Sequence, residues 1–218
     1  MTYLELVNNV LRRLRQDEID SVVNIEDEAA KIVADFVNDA KTKVDNAWSW
    51  NAHRTEWELE MTEGVDTYTL PDSNNYAIID YTSNDTKGYF IETISTMDMT
   101  RKTHGSGTQP NGQPLYMTVT GATPGADVKV KFWPAPKAGQ TIKVYGFHTQ
   151  DDLQADADVL LVPHLPVIYE ALALSARERG EVGGQTAMEI LELAREYTKD
   201  AIALDGALSP IDNIWYQS

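Results

Sequence analysis

Apolar positions near the start of the chain recur at helical spacing. Tyr3, Val7, Val10, Leu11 and Leu14 follow one another at three and four, and Thr2 with Glu5 forms a capping-box pattern, so residues 2–15 are predicted as an amphipathic helix. Arg12, Arg13 and Arg15 fall at its negative dipole end. A second helix is announced by Glu26, Asp27 and Glu28. It carries Ala29, Ile32, Val33, Phe36, Val37, Ala40 and Val44 on one stripe and Lys41 and Lys43 toward its end, and it is expected to reach Trp48.

From about residue 53 the period changes to two. Thr55, Trp57, Leu59 and Met61 alternate with Arg54, Glu56, Glu58 and Glu60, a half-buried strand with one charged face. Further strands are expected at 65–70, 76–82, 88–94, 114–120, 127–133 and 141–148, separated by Gly, Pro, Asn and Asp clusters. Arg101 to Pro114 shows neither period and reads as a mobile loop.

After Asp158 the helical pattern returns, with Pro163 and Pro166 near the first turn and Ile168, Leu172, Ser175 and Ala176 following; Gly180 is expected to stop it. Gly183-Gly184 makes a tight connection to an antiparallel helix traced by Met188, Leu191, Ala194, Arg195, Thr198 and Ile202, which should stop at Gly206. Pro210 then sends GALSPIDNIWYQS out as an extended tail.

The pattern therefore predicts an α+β fold: a helical bundle built from both ends of the chain, with an inserted antiparallel β domain, a small sandwich or barrel. The expected segments are 1–52 and 151–206 for the helical lobe, 53–150 for the β domain, and 207–218 for the tail.

Composition narrows the function. The 218 residues are 42% hydrophobic, enough for one core or two small ones, which excludes a disordered chain. Thirty-four acidic residues against 18 basic ones give a formal charge of −16, so tight binding to a phosphate backbone is not expected. No cysteine is present, which removes disulfides and thiolate chemistry together. The N-terminus does not read as a secretory signal, and no apolar run approaches the ~20 residues of a membrane span.

Candidate chemistry adds little. Asp151, Asp152, Asp156 and Asp158 form an oxygen-rich cluster, but they lack the glycine turn and terminal glutamate of a helix-loop-helix calcium site. Glu56, Glu58 and Glu60 share one wet strand face instead of the unlike environments that acid and base work needs. His53, His104, His148 and His164 have no metal-site spacing, and no nucleophile elbow or phosphate loop occurs. Neither catalytic residues, metal ligands nor a cofactor are expected.

Four stretches carry a resemblance: LELVNNVLRRLRQDEIDSV, FVNDAKTKVDNAWSWNAHRT, VKVKFWPAPKAGQTIKVYGF and VPHLPVIYEALALSARERGEVGG. In this order, over nearly the whole chain, they resemble the podovirus tubular tail protein A family, the head-to-tail adaptors of short-tailed phages. The resemblance implies a dodecameric ring between portal and tail nozzle, a virion component assembled in the host cytoplasm, and a lumen through which DNA passes without specific binding or a membrane. It gives Trp48 and Trp50, and Phe132, Trp133, Pro134 and Pro136, structural roles in core and turns.

Three groups of residues follow as candidates. Ile211, Ile214, Trp215 and Tyr216 in the tail are aromatic and aliphatic anchors of the sort interfaces use, and are expected to grip the portal. Trp48, Trp50 and Trp57 are expected where the two lobes join. Arg101, Lys102, His104 and Gln109 lie in the loop expected to face the tail. The alternative is a carbohydrate- or receptor-binding β module of a phage tail, whose aromatics would stack on a glycan.

Overall fold

The computed structural model describes residues 1–73, 77–105, 110–121, 126–179 and 185–208. In chain order its elements are α1 (Tyr3–Arg13), α2 (Glu28–Asp45), a 3-10 turn (Asn51–His53), β1 (Arg54–Glu60), β2 (Thr67–Thr69), β3 (Ile78–Asn84) and β4 (Tyr89–Thr93). Then follow α3 (Thr96–Gly105), β5 (Asn111–Gly112), β6 (Tyr116–Gly121), β7 (Lys129–Trp133), β8 (Ala135–Pro136), β9 (Thr141–Phe147), α4 (His164–Glu178) and α5 (Gln185–Leu208). The fold is α+β with helices at both ends of the chain. It divides into two compact units, one formed by Met1–His53 with the chain from Thr149 onward, the other by Arg54–His148.

In the helical unit α1 opens as the capping box requires: Thr2 Oγ1 accepts the Glu5 N–H and the Glu5 carboxylate accepts the Thr2 N–H. Leu6, Val7, Val10 and Leu11 are fully buried and pack with Val33, Val37, Ala40, Val44, Val167, Ile168 and Ala171 in one core. Asn8 clamps the loop after α1 by exchanging two 2.9 Å bonds with the Ile19 backbone, donating to its carbonyl and accepting its N–H. The buried stripe of α2 is rotated from the expected one: Ile32 is exposed, while Lys41 and Asp45 are buried. Lys41 donates to the carbonyls of Gln150 and Asp151 and lies 3.5 Å from Asp45 Oδ2, whose other oxygen is 3.2 Å from His53 Nε2. Burial of these charges is thus matched by partners.

The β unit is a nearly barrel-shaped seven-stranded sheet in the order β1-β9-β3-β4-β6-β7-β2. Within this sheet all pairs are antiparallel except β4 with β6, and β5 and β8 form a separate short parallel pair. Trp57, Leu59, Leu70, Ile91, Met117, Val130, Phe132, Ile142 and Val144 fill its core.

Besides the rotated stripe, α2 stops at Asp45, short of Trp48, and two further expectations are corrected. Arg101 to Gly105, read as mobile loop, belong to α3. A parallel neighbour needs a crossover, and α3 is the connection that carries the chain from β4 to β6. Ser95 caps it, accepting the Asp98 N–H at 3.1 Å and donating to the Asp98 carboxylate at 2.7 Å. Gln109 lies outside the described residues. Gly206 does not stop the last helix, which continues to Leu208. Gly206 packs against Trp48, where an added Cβ would stand 3.7 Å from Cζ2, and neighbouring Asp205 is held by Trp48 and Asn51.

Candidate interaction surfaces

Most of the acidic side chains singled out in the sequence hold partners within the fold. Asp158 Oδ2 accepts the N–H groups of Gln154 and Ala155, both at 2.7 Å, and these donors, Ala155 first, hold its carboxyl below the ordinary aspartate range. Asp156 Oδ1 accepts the Val22 N–H at 2.6 Å, and Asp152 lies 3.8 Å from Lys41 Nζ. On β1, Glu56 pairs with Lys143 at 2.8 Å and Glu60 accepts from the Thr141 hydroxyl at 3.0 Å. The histidines have separate settings: His53 beside Asp45, His148 edge-on to Trp57, His104 on exposed α3 and His164 opening α4. Among the described residues no group of three His, Asp or Glu side chains could hold a metal ion.

The three tryptophans have different environments. Trp50 is buried in the helical core and donates to the Val44 carbonyl at 2.9 Å. Trp57 is buried in the β core and donates to the Pro71 carbonyl at 3.0 Å. Trp48 is 43% exposed, with its indole N–H on Asp205.

Arg101, Lys102 and His104 sit together on α3, where Arg101 pairs with Asp98 at 3.3 Å. Lys102 lies with Nζ 3.8 Å from the centre of the Tyr116 ring and 5.4 Å from that of Trp133, so its charge rests on aromatic faces. Ile211, Ile214, Trp215 and Tyr216 lie outside the described residues.

Two apolar surfaces were not anticipated. On the β unit, Tyr81 and Tyr145 are register partners on β3 and β9, stacked at 4.4 Å, and Phe90 of β4 stands edge-on to Tyr81 at 6.0 Å. Phe90 is 77% exposed and Ile78 59%. Alternation carried the signal: when Ile142 and Val144 point inward, Tyr145 points outward beside the outward residues of β3. A bulge at Asp80 sets this register, since Ile79 pairs with Gly146 and Tyr81 with Tyr145.

On the helical unit, the N-terminal turn of α4 and the last turns of α5 enclose an open groove of about 450 Å³. Pro163, Leu165, Tyr197, Ala201, Leu204 and Leu208 line it. Each unit thus carries an exposed apolar surface.

A comparison with curated proteins found no match to the chain. The family model of the SU10 adaptor protein matches residues 1–208, a span that takes in every described helix and strand of both units. The chain therefore belongs to the SU10 adaptor protein family, a family of phage adaptors.

Proposed function

We propose that this chain is the head-to-tail adaptor of a short-tailed phage, of the tubular tail protein A kind, and acts structurally, not catalytically. Copies close into a dodecameric ring between portal and tail nozzle through a repeated heterologous contact, and DNA leaves through the lumen. The observation that carries this reading is the match to a phage adaptor family from residue 1 to 208. The separate apolar surfaces of the two units support it, because a ring subunit needs more than one partner face.

In this reading the helical unit forms the ring wall. Residues 209–218, with Ile211, Ile214, Trp215 and Tyr216, grip the portal. The β unit meets the nozzle through α3 or through the face around Phe90. A formal charge of −16 suits a conduit that gives phosphate no sticking point. Assembly takes place in the host cytoplasm and the product is a virion component at the head-tail junction.

The glycan-binding alternative is less well supported. Sugar stacking wants open aromatic faces, whereas Tyr81 is covered by the Tyr145 ring and meets the edge of Phe90.

The test is direct. Purified portal mixed with the full chain should co-sediment as a complex that electron microscopy resolves as a ring, and removal of 209–218 should reduce the bound fraction at least tenfold. A full chain that stays monomeric and unbound beside portal overturns the adaptor reading, and unchanged binding after truncation overturns the role of the tail.

A further inference from the structure

We propose that the groove between α4 and α5 is the seat of the chain's own residues 209–218, which occupy it in the free subunit. This goes beyond the adaptor reading and is tested without the portal, so either can fail alone.

The groove is built by a stripe along α5. Tyr197, Ala201, Leu204 and Leu208 follow at four, three and four, the spacing of one helix face, with Pro163 and Leu165 of α4 across from them. Leu204 is 72% exposed and Leu208 77%, a costly pair to leave in water.

The occupant follows from where the helix ends and what comes next. Pro210, two residues beyond Leu208, cannot extend the helix ladder, so the chain can reverse there. From Leu208 back to Tyr197 the helix rises ~16 Å. The six residues from Ile211 to Tyr216, when extended, span about 20 Å. A segment running back along α5 therefore reaches the far end of the groove with all four of its large apolar residues inside that length. A segment from a second copy has no such tether, which at dilute concentration favours the same chain.

The absence of cysteine from the sequence makes the test clean. Leu204→Cys with Ile214→Cys, in the full chain under mild oxidation, should form an intrachain disulfide in the monomer at least tenfold faster than a control pair, Ile32→Cys with Ile214→Cys. Ile32 is also exposed, but lines a cleft at the opposite end of α4, beside Glu178 and Arg179. Equal rates for the two pairs, or cross-links only between chains, overturn the proposal. A second variant keeps it falsifiable if cysteine disturbs the fold: Leu204→Asp should speed chymotrypsin cleavage at Trp215 and Tyr216 at least tenfold, and unchanged cleavage overturns it.

Discussion

The indole N–H of Trp48 donates to Asp205 Oδ2 at 3.1 Å, joining positions 157 apart in sequence. The same carboxylate accepts the backbone N–H and the side-chain amide of Asn51, both at 3.1 Å. One acidic side chain thus holds the end of α5 against the segment that follows α2. Asp205→Ala leaves these donors to water, with an expected loss of about 1–3 kcal/mol in the unfolding free energy of the helical unit, and Asp205→Asn should cost less. Urea denaturation followed by helical circular dichroism measures both; equal midpoints for Asp205→Ala and the parent chain would count against the latch.

Much of this architecture was legible because hydrophobic period and burial coincide. Trp57, Leu59 and Met61 alternate with glutamates and are the buried positions of β1 and its end, and Thr2 with Glu5 caps α1 as the pattern requires. α3 was hidden because only Met99 of its residues is buried, so no apolar stripe exists to be read. Its start was nevertheless written in Ser95 and Asp98, a capping pattern three residues apart. Gly206 misled because a glycine near a helix end usually marks a stop, whereas here the helix runs past it to Leu208, with neighbouring Asp205 held by Trp48 and Asn51. The outward aromatic face depends on the pairing of β3 with β9, a long-range register that no local window contains.

Gly146 sits where β9 crosses the bulge in β3. An ideal Cβ there would lie 2.2 Å from the Ile78 carbonyl oxygen, and the obstruction is backbone, so it cannot rotate away. Gly146→Ala should therefore separate β3 from β9 and cost about 3 kcal/mol or more. Loss of near-ultraviolet dichroism from the β-unit aromatics, with helical signal retained, is the expected readout. A variant with the parent's urea midpoint would contradict the close approach.

Lys41 and Asp45 are both almost wholly buried, 3.5 Å apart. Lys41→Ala leaves the Asp45 carboxylate only His53 as a partner and removes the donor to Gln150 and Asp151, an expected loss of about 3 kcal/mol. Adding Asp45→Asn removes the uncompensated charge, so the double variant should be more stable than Lys41→Ala alone. A double-mutant cycle with additive effects would argue against a coupled pair.

Tyr3 donates its hydroxyl to the Ala34 carbonyl at 2.9 Å, and burial, reinforced by Asp35 and Asp152, pushes its phenol up to about 12. A folded-state value raised above the unfolded 10.0 means that the neutral form is the one the fold stabilises. That contribution is whole below pH 10 and fades as pH rises toward 12. Tyr3→Phe should cost about 1 kcal/mol at neutral pH through the lost hydrogen bond. Its stability should then fall less steeply than the parent's between pH 10 and 12. Tyr89, Tyr145 and Tyr197, which are also raised, are common to both proteins, so the difference isolates Tyr3. Parallel alkaline profiles for the two would show that Tyr3 is not the group responsible.

Phe90 is the most exposed member of the aromatic face, and its ring touches Tyr81 without entering the β core. Phe90→Asp should leave the unfolding free energy of the free chain within about 0.5 kcal/mol of the parent, as surface substitutions do. If this face meets the nozzle, the same change places a charge in a desolvated contact and should weaken nozzle addition to the portal-adaptor complex by at least about 2 kcal/mol, roughly thirtyfold. Portal binding should be unaffected, since that role is assigned to the other unit and its tail. Sedimentation of stepwise-assembled complexes separates the outcomes: loss of the nozzle alone supports the assignment, and unchanged nozzle binding shifts it to α3, where Lys102 rests on Tyr116 and Trp133.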